Sequence, residues 1–126
     1  MEQRLESNRA KGQWGEDLAC EMLMAEGATI RERNWRSGHL EIDIIASNAD
    51  EIIFAEVKMR SDPDADPLEA IDHRKQQNMV RAARHYMATL GSALGCRFDY
   101  FAINGTADDH RVEHLPDAFA PGLLEY

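Results

Sequence analysis

The chain has 126 residues, 44 % of them apolar and 29 % charged. That is the balance of one ordinary globular domain, and it leaves little room for a second. No apolar run approaches the ~20 residues of a membrane span, and no apolar stretch follows the charges of the N-terminus, which argues against a signal peptide. Two cysteines, Cys20 and Cys96, are too few for a disulfide framework or a four-cysteine zinc site. The expectation is a cytoplasmic protein without membrane contact. The net charge of −9 argues against bulk coating of nucleic acid, which needs a basic surface. Yet from His73 to Phe98 there is no acid, and Arg74, Lys75, Arg81, Arg84 and Arg97 are all basic. This segment is either a local positive face or the solvated side of a helix.

In chain order, a helix is predicted from about Ser7 or Asn8 to Glu26, stopped by Gly27. Ala28–Arg33 forms a short strand. Glu41–Ala46 and Ile52–Lys58 are isoleucine-rich strands joined by a polar turn at Ser47–Glu51. Ser61–Pro67, with its prolines and aspartates, is a loop. Leu68–Leu90 carries Ile71, Met79, Ala82, Ala83, Tyr86 and Leu90 mostly at helical spacing, and Gly91 ends it. Arg97–Ile103 is a strand, and Arg111–Leu115 pairs with it across a turn near Asn104–Gly105. The tail, 116–126, has no predicted structure. The whole is a single α/β domain with a core of about 9–115: a mixed sheet of about five strands flanked by helices. The helix between strands makes a crossover that sets two of them parallel.

The hairpin carries the chemistry. If it folds about Ala49–Asp50, facing residues have numbers that sum to 99. Asp43 then lies opposite Glu56, and Glu41 opposite Lys58, with Cβ atoms ~4.5–5.5 Å apart. Alternation puts all four on one side and Ile42, Ile44, Ile53, Ala55 and Val57 on the other. Ile52 and Phe54 share the face of Glu56 and Lys58, so helices must cover part of it. Two facing carboxylates repel, and apolar surroundings raise the cost. A divalent cation relieves it. Oxygen ligands suit Mg²⁺ or Mn²⁺, and the Val57 carbonyl adds another. Lys58, ~6.5–7 Å along the same face, is placed to act on a water or on a phosphate. These are the parts needed to hydrolyse a phosphodiester; the competing reading is a solvated sheet surface with cross-strand ion pairs.

Glu16 shares a helical stripe with Ala19, Cys20 and Leu23. It is either a third metal ligand or an acid favoured by the helix dipole. Lys75 lies on the inward stripe of the second helix, to reach a phosphate or to lay its stem on apolar surface. His110, Glu113 and His114 do not make a metal site, because i and i+4 on a strand are ~13 Å apart. Trp14 and Trp35 read as packing residues rather than base-stacking platforms.

The ordered pieces Gly12–x–x–Gly15–Glu16–x–x–Ala19, Arg33-Asn34-Trp35, Glu41-Ile42-Asp43-Ile44-Ile45, Phe54-Ala55-Glu56-Val57-Lys58-x-Arg60, Lys75 and Arg97-Phe98-Asp99 together resemble the YraN family of uncharacterised bacterial proteins. That family is similar to the PD-(D/E)xK nuclease superfamily, which includes Holliday junction resolvases. The resemblance spans roughly residues 9–104. It implies a restriction-endonuclease-like core, with Asp43, Glu56, Lys58 and Glu16 at its catalytic positions. Ile42 stands where the superfamily carries a proline, and Leu40 where the family carries a glycine. The expected function is a metal-dependent nuclease hydrolysing DNA phosphodiesters, with branched DNA a candidate substrate. Asp43, Glu56, Val57 and Glu16 would hold Mg²⁺ or Mn²⁺. Lys75, Arg74, Arg81, Arg84, Arg36 and Arg60 would hold the nucleic acid, and a two-fold homodimer would suit a resolvase. The alternatives are a non-cutting nucleic-acid-binding module of the same fold and a protein-interaction domain.

Overall fold

The computed structural model describes residues 2–66 and 72–119, with side chains described from residue 12. Helix α1 (Glu2–Ala25) leads into three antiparallel strands, β1 (Thr29–Ser37), β2 (Leu40–Ser47) and β3 (Glu51–Arg60). Helix α2 (His73–Leu90) crosses over to β4 (Gly95–Gly105), which runs parallel to β3, and β5 (His110–Leu115) closes the order β1-β2-β3-β4-β5. This is the expected α/β mixed sheet, consistent with a restriction-endonuclease-like fold. No helix among the described residues is long and apolar enough to cross a membrane.

Local chemistry accounts for the boundaries. Asn48 Oδ1 accepts from the amides of Asp50 and Glu51 and closes the β2–β3 turn, as an Asx-type side chain does. Asp72 caps α2 by accepting from the Lys75 amide at 2.7 Å. Gly91, in the left-handed conformation, ends that helix. The predicted start of the second helix at Leu68, its residue Ile71 and the last residues of the tail, 120–126, lie outside the described residues. Strand β1 runs to Ser37 rather than Arg33, because pairing with β2 extends through Ser37↔Leu40. The first helix begins at Glu2, ahead of the expected Ser7.

One helix covers each face of the sheet. Under α2, Met79, Val80, Ala82, Ala83 and Tyr86 meet Ile42, Ile45, Ile52, Phe54 and Phe98. Under α1, Ala19, Cys20 and Leu23 meet Ile44, Ala46, Ile53, Ala55 and Phe101. The β2–β3 register sums to 99, as in Ile44↔Ala55 and Ser47↔Ile52, in agreement with the sequence.

The sequence misassigns Ile42. It packs under α2, whereas Ile44, two residues on, packs under α1. On a regular strand these two would share a face, so β2 changes phase at Asp43. Its partner β1 does the same: Arg33 reaches α1 and Trp35 packs under α2. Between them Asn34 adopts a φ of 52°, a conformation asparagine tolerates better than most residues.

Candidate active site

The phase change opens the sheet where the chemistry lies. Paired residues of β2 and β3 stop at Ile44↔Ala55. Beyond them, the Val57 amide donates to Asp43 Oδ2 at 2.8 Å. A side chain thus takes the place of a ladder carbonyl, and the strand ends part. The opening leads into a cavity of about 780 Å³, whose wall includes Glu16, Asp43, Glu56, Val57, Lys58 and Arg60.

Half-buried Asp43 and buried Glu56 are neighbours whose charges act on each other. Burial, together with the Asp43 charge, pushes Glu56 up to about 8, against the pull of Lys75. Burial also raises Asp43, opposed by the Val57 amide. Lys75 Nζ contacts Glu56 Oε1 at 3.2 Å, but Oε2 is buried with no donor. Buried polar atoms of this kind are rare unless something satisfies them. The hard oxygens of Asp43 and Glu56 therefore fit a small divalent cation. The Val57 carbonyl points toward the same gap, because N–H and C=O of one strand residue face the same neighbour.

Glu16 lines the cavity, but it is held by Arg33 at 3.3 Å and Asn34 at 3.2 Å. Among the described residues no three His, Cys, Asp or Glu side chains are grouped to hold a metal ion. In this structure Glu16 is a neighbour of the carboxylate pair, on the same cavity wall. Gly15 lets α1 come this close, because a Cβ there would run into the Met59 side chain on β3.

Lys58 is exposed at the cavity wall. Glu41, expected opposite it, instead pairs with Arg36 on β1 at 3.7 Å. Arg74, Arg81 and Arg84 lie on the exposed side of α2, and Lys75 turns inward to Glu56. Arg97 does not belong to the basic face. It grips buried Asp99 with two bonds of 2.8 Å, because β4 aims it at the only nearby buried anion on its strand. His110 and His114 sit toward opposite ends of β5, and His114 lies between two carboxylates, with Nε2 2.7 Å from Asp99 Oδ2 and Nδ1 3.2 Å from Glu26 Oε1. The sequence did not foresee that Arg33 and Asn34 hold Glu16, and it missed Tyr100. Tyr100 pairs with Glu56 in register, and burial and the Glu56 charge raise it to about 12. Both the Arg33-Asn34 motif and Glu16 were visible in the sequence, but that they pair was not.

Comparison with known proteins supplies the family. Residues 15–103 match the uncharacterised protein family UPF0102. The chain belongs to this family. UPF0102 relatives include a protein of Bacteroides thetaiotaomicron, 41 % identical over 90 % of this chain and 94 % of that one. One of Nitratidesulfovibrio vulgaris is 38 % identical over 91 % of this chain and 87 % of its own. A third, of Chlorobium chlorochromatii, is 40 % identical over 86 % and 89 %. The UPF0102 match spans Glu16, Asp43, Glu56, Lys58 and Lys75.

Proposed function

We propose that the protein is a metal-dependent nuclease that hydrolyses DNA phosphodiesters. The observation that carries this reading is the pairing of half-buried Asp43 with buried Glu56, one Glu56 oxygen lacking any donor, on the wall of a cavity shared with Lys58. Asp43, Glu56 and the Val57 carbonyl are the residues that would hold Mg²⁺ or Mn²⁺. Such an ion supplies a Lewis acid for a phosphoryl oxygen and lowers the pKa of a water. Asp43 holds its place through the Val57 amide, so its second oxygen is presented without free rotation. Lys58 brings an exposed ammonium to the cavity, suited to steady charge on the phosphate in the transition state. Glu16, oriented by Arg33 and Asn34, offers an acceptor for a water proton on the same wall. Arg36, Arg60, Arg74, Arg81 and Arg84 are the side chains that would contact backbone phosphates around it.

The test is direct. Purified protein is incubated with plasmid, flap and four-way-junction DNA in Mg²⁺ or Mn²⁺. Cutting should fall by at least about 100-fold in Asp43→Ala and Lys58→Ala, the scale on which electrostatic catalytic groups act. Cutting that persists in both variants, or none with any DNA, overturns the reading. Salt-sensitive binding without cutting would instead identify a non-catalytic module of this fold.

A further inference from the structure

The cavity wall combines two unlike groups of residues. One is the carboxylates and Lys58. The other is Trp14, Gly12 and the β4–β5 turn, with Thr106, Ala107 and Asp108. The two tryptophans have different surroundings. Trp35 packs edge-on against Tyr86 with ring centroids 5.3 Å apart, in the core under α2. Trp14 is half-buried at the cavity wall, two residues before Glu16, and its ring is braced by a tilted contact with His110 at 5.1 Å.

Phosphate recognition needs charges and N–H donors, which an indole face does not offer. A braced indole beside a site for phosphate chemistry presents one useful surface, a flat π-face. Nucleobases stack on such faces regardless of sequence. In a continuous duplex the bases are already stacked and turned inward, so only an unpaired nucleotide can enter. The charge distribution points the same way. Asp108 on the turn and the −9 of the whole chain oppose a long backbone track across this rim. A cavity of about 780 Å³ lies within the range of sites that take a small organic group.

We infer that Trp14 is a stacking platform for an unpaired nucleobase next to the reacting phosphate, so that the site takes single-stranded or frayed nucleic acid. This deepens the nuclease reading and rests on it for the reacting phosphate; the base pocket itself can be tested without cutting.

Binding of fluorescein-labelled oligo(dT) and of a blunt duplex is measured by anisotropy in Ca²⁺, with wild type, Trp14→Ala and Trp14→Phe. Melting temperatures check that each variant is folded. Oligo(dT) should bind more tightly than the duplex. Trp14→Ala should weaken oligo(dT) about tenfold, equivalent to about 1.4 kcal/mol, and Trp14→Phe should recover most of it. Duplex affinity should stay unchanged in both variants. Oligo(dT) should also quench tryptophan emission, and the quench should vanish in Trp14→Phe, where only Trp35 remains. Equal loss on both ligands, no loss, or no binding of oligo(dT) overturns the inference. Duplex cutting in Mn²⁺ that Trp14→Ala leaves untouched would also overturn it while sparing the nuclease reading. Trp14-dependent oligo(dT) binding with no cutting of any DNA would support the base pocket and sink the nuclease reading.

Discussion

The amide of Val57 donates to Oδ2 of Asp43 at 2.8 Å, where a regular sheet would have placed a backbone carbonyl. This bond binds the two strands of the site together after their ladder has ended. It also makes Asp43 structural and chemical at once. Asp43→Ala should leave the part-buried Val57 N–H without its acceptor and cost about 1–3 kcal/mol in urea unfolding. Asp43→Asn keeps an acceptor oxygen and should cost less than half of that. Equal losses in the two variants would show that the bond carries little.

Glu56 links pH to stability. Its pKa in the folded chain, about 8, lies above the ~4.3 of an unfolded glutamate. The folded state therefore holds the proton more tightly, and this contribution is fully present below the unfolded value. It is lost as pH rises through about 8. In EDTA, the melting temperature should fall across that window. Glu56→Gln should flatten the fall and melt about 5 °C or more higher at alkaline pH. Adding Mg²⁺ should restore wild type and leave Glu56→Gln unmoved. A flat wild-type profile would contradict the burial of this charge.

Asp99 behaves in the opposite sense. It is fully buried. Burial alone would raise its pKa, but His114, Arg97 and the Asp117 amide outweigh it and hold the carboxyl below its ordinary value. Its stabilisation is present above about pH 3.9 and is lost as pH falls through the lower folded value. Asp99→Ala strands the Arg97 charge and should cost about 3–5 kcal/mol. Chemical unfolding at neutral pH measures it; a loss under about 1 kcal/mol would mean that Arg97 finds Glu26, 3.8 Å away, as a substitute.

Gly105 shapes the turn that rims the cavity. Its φ is +111°, and a Cβ there would strike the Asp109 carbonyl, with the Asp109 oxygen as the nearest atom. Gly105→Ala should therefore destabilise by about 1–3 kcal/mol. Gly12→Ala, with open space around it, serves as the comparison and should be neutral or slightly stabilising. Similar melting temperatures for the two variants would refute the strain.

Much of this fold was legible because its signals are local. Isoleucine-rich runs, the polar Ser47–Glu51 turn and Gly91 each act on their own neighbours, and register followed from the turn. Asp43 and Glu56 were found by the same logic. The placement of Ile42 and Glu41 was not, because alternation assumes a regular strand and β2 changes phase at Asp43. Nor was Arg97, whose charge reads as basic surface until Asp99 is seen beside it on the strand.

The sequence by itself determined the element order, the hairpin register and the pair of acids, since each depends on spacing along one or two adjacent strands. Only the tertiary structure decided that Glu16 is held by Arg33 and Asn34, that the inward Lys75 meets Glu56, and that Trp14 faces the cavity while Trp35 enters the core. Those outcomes depend on how α1 and α2 sit on opposite faces of the sheet. Helix periodicity says which residues share a stripe, but it carries no information about what the stripe meets.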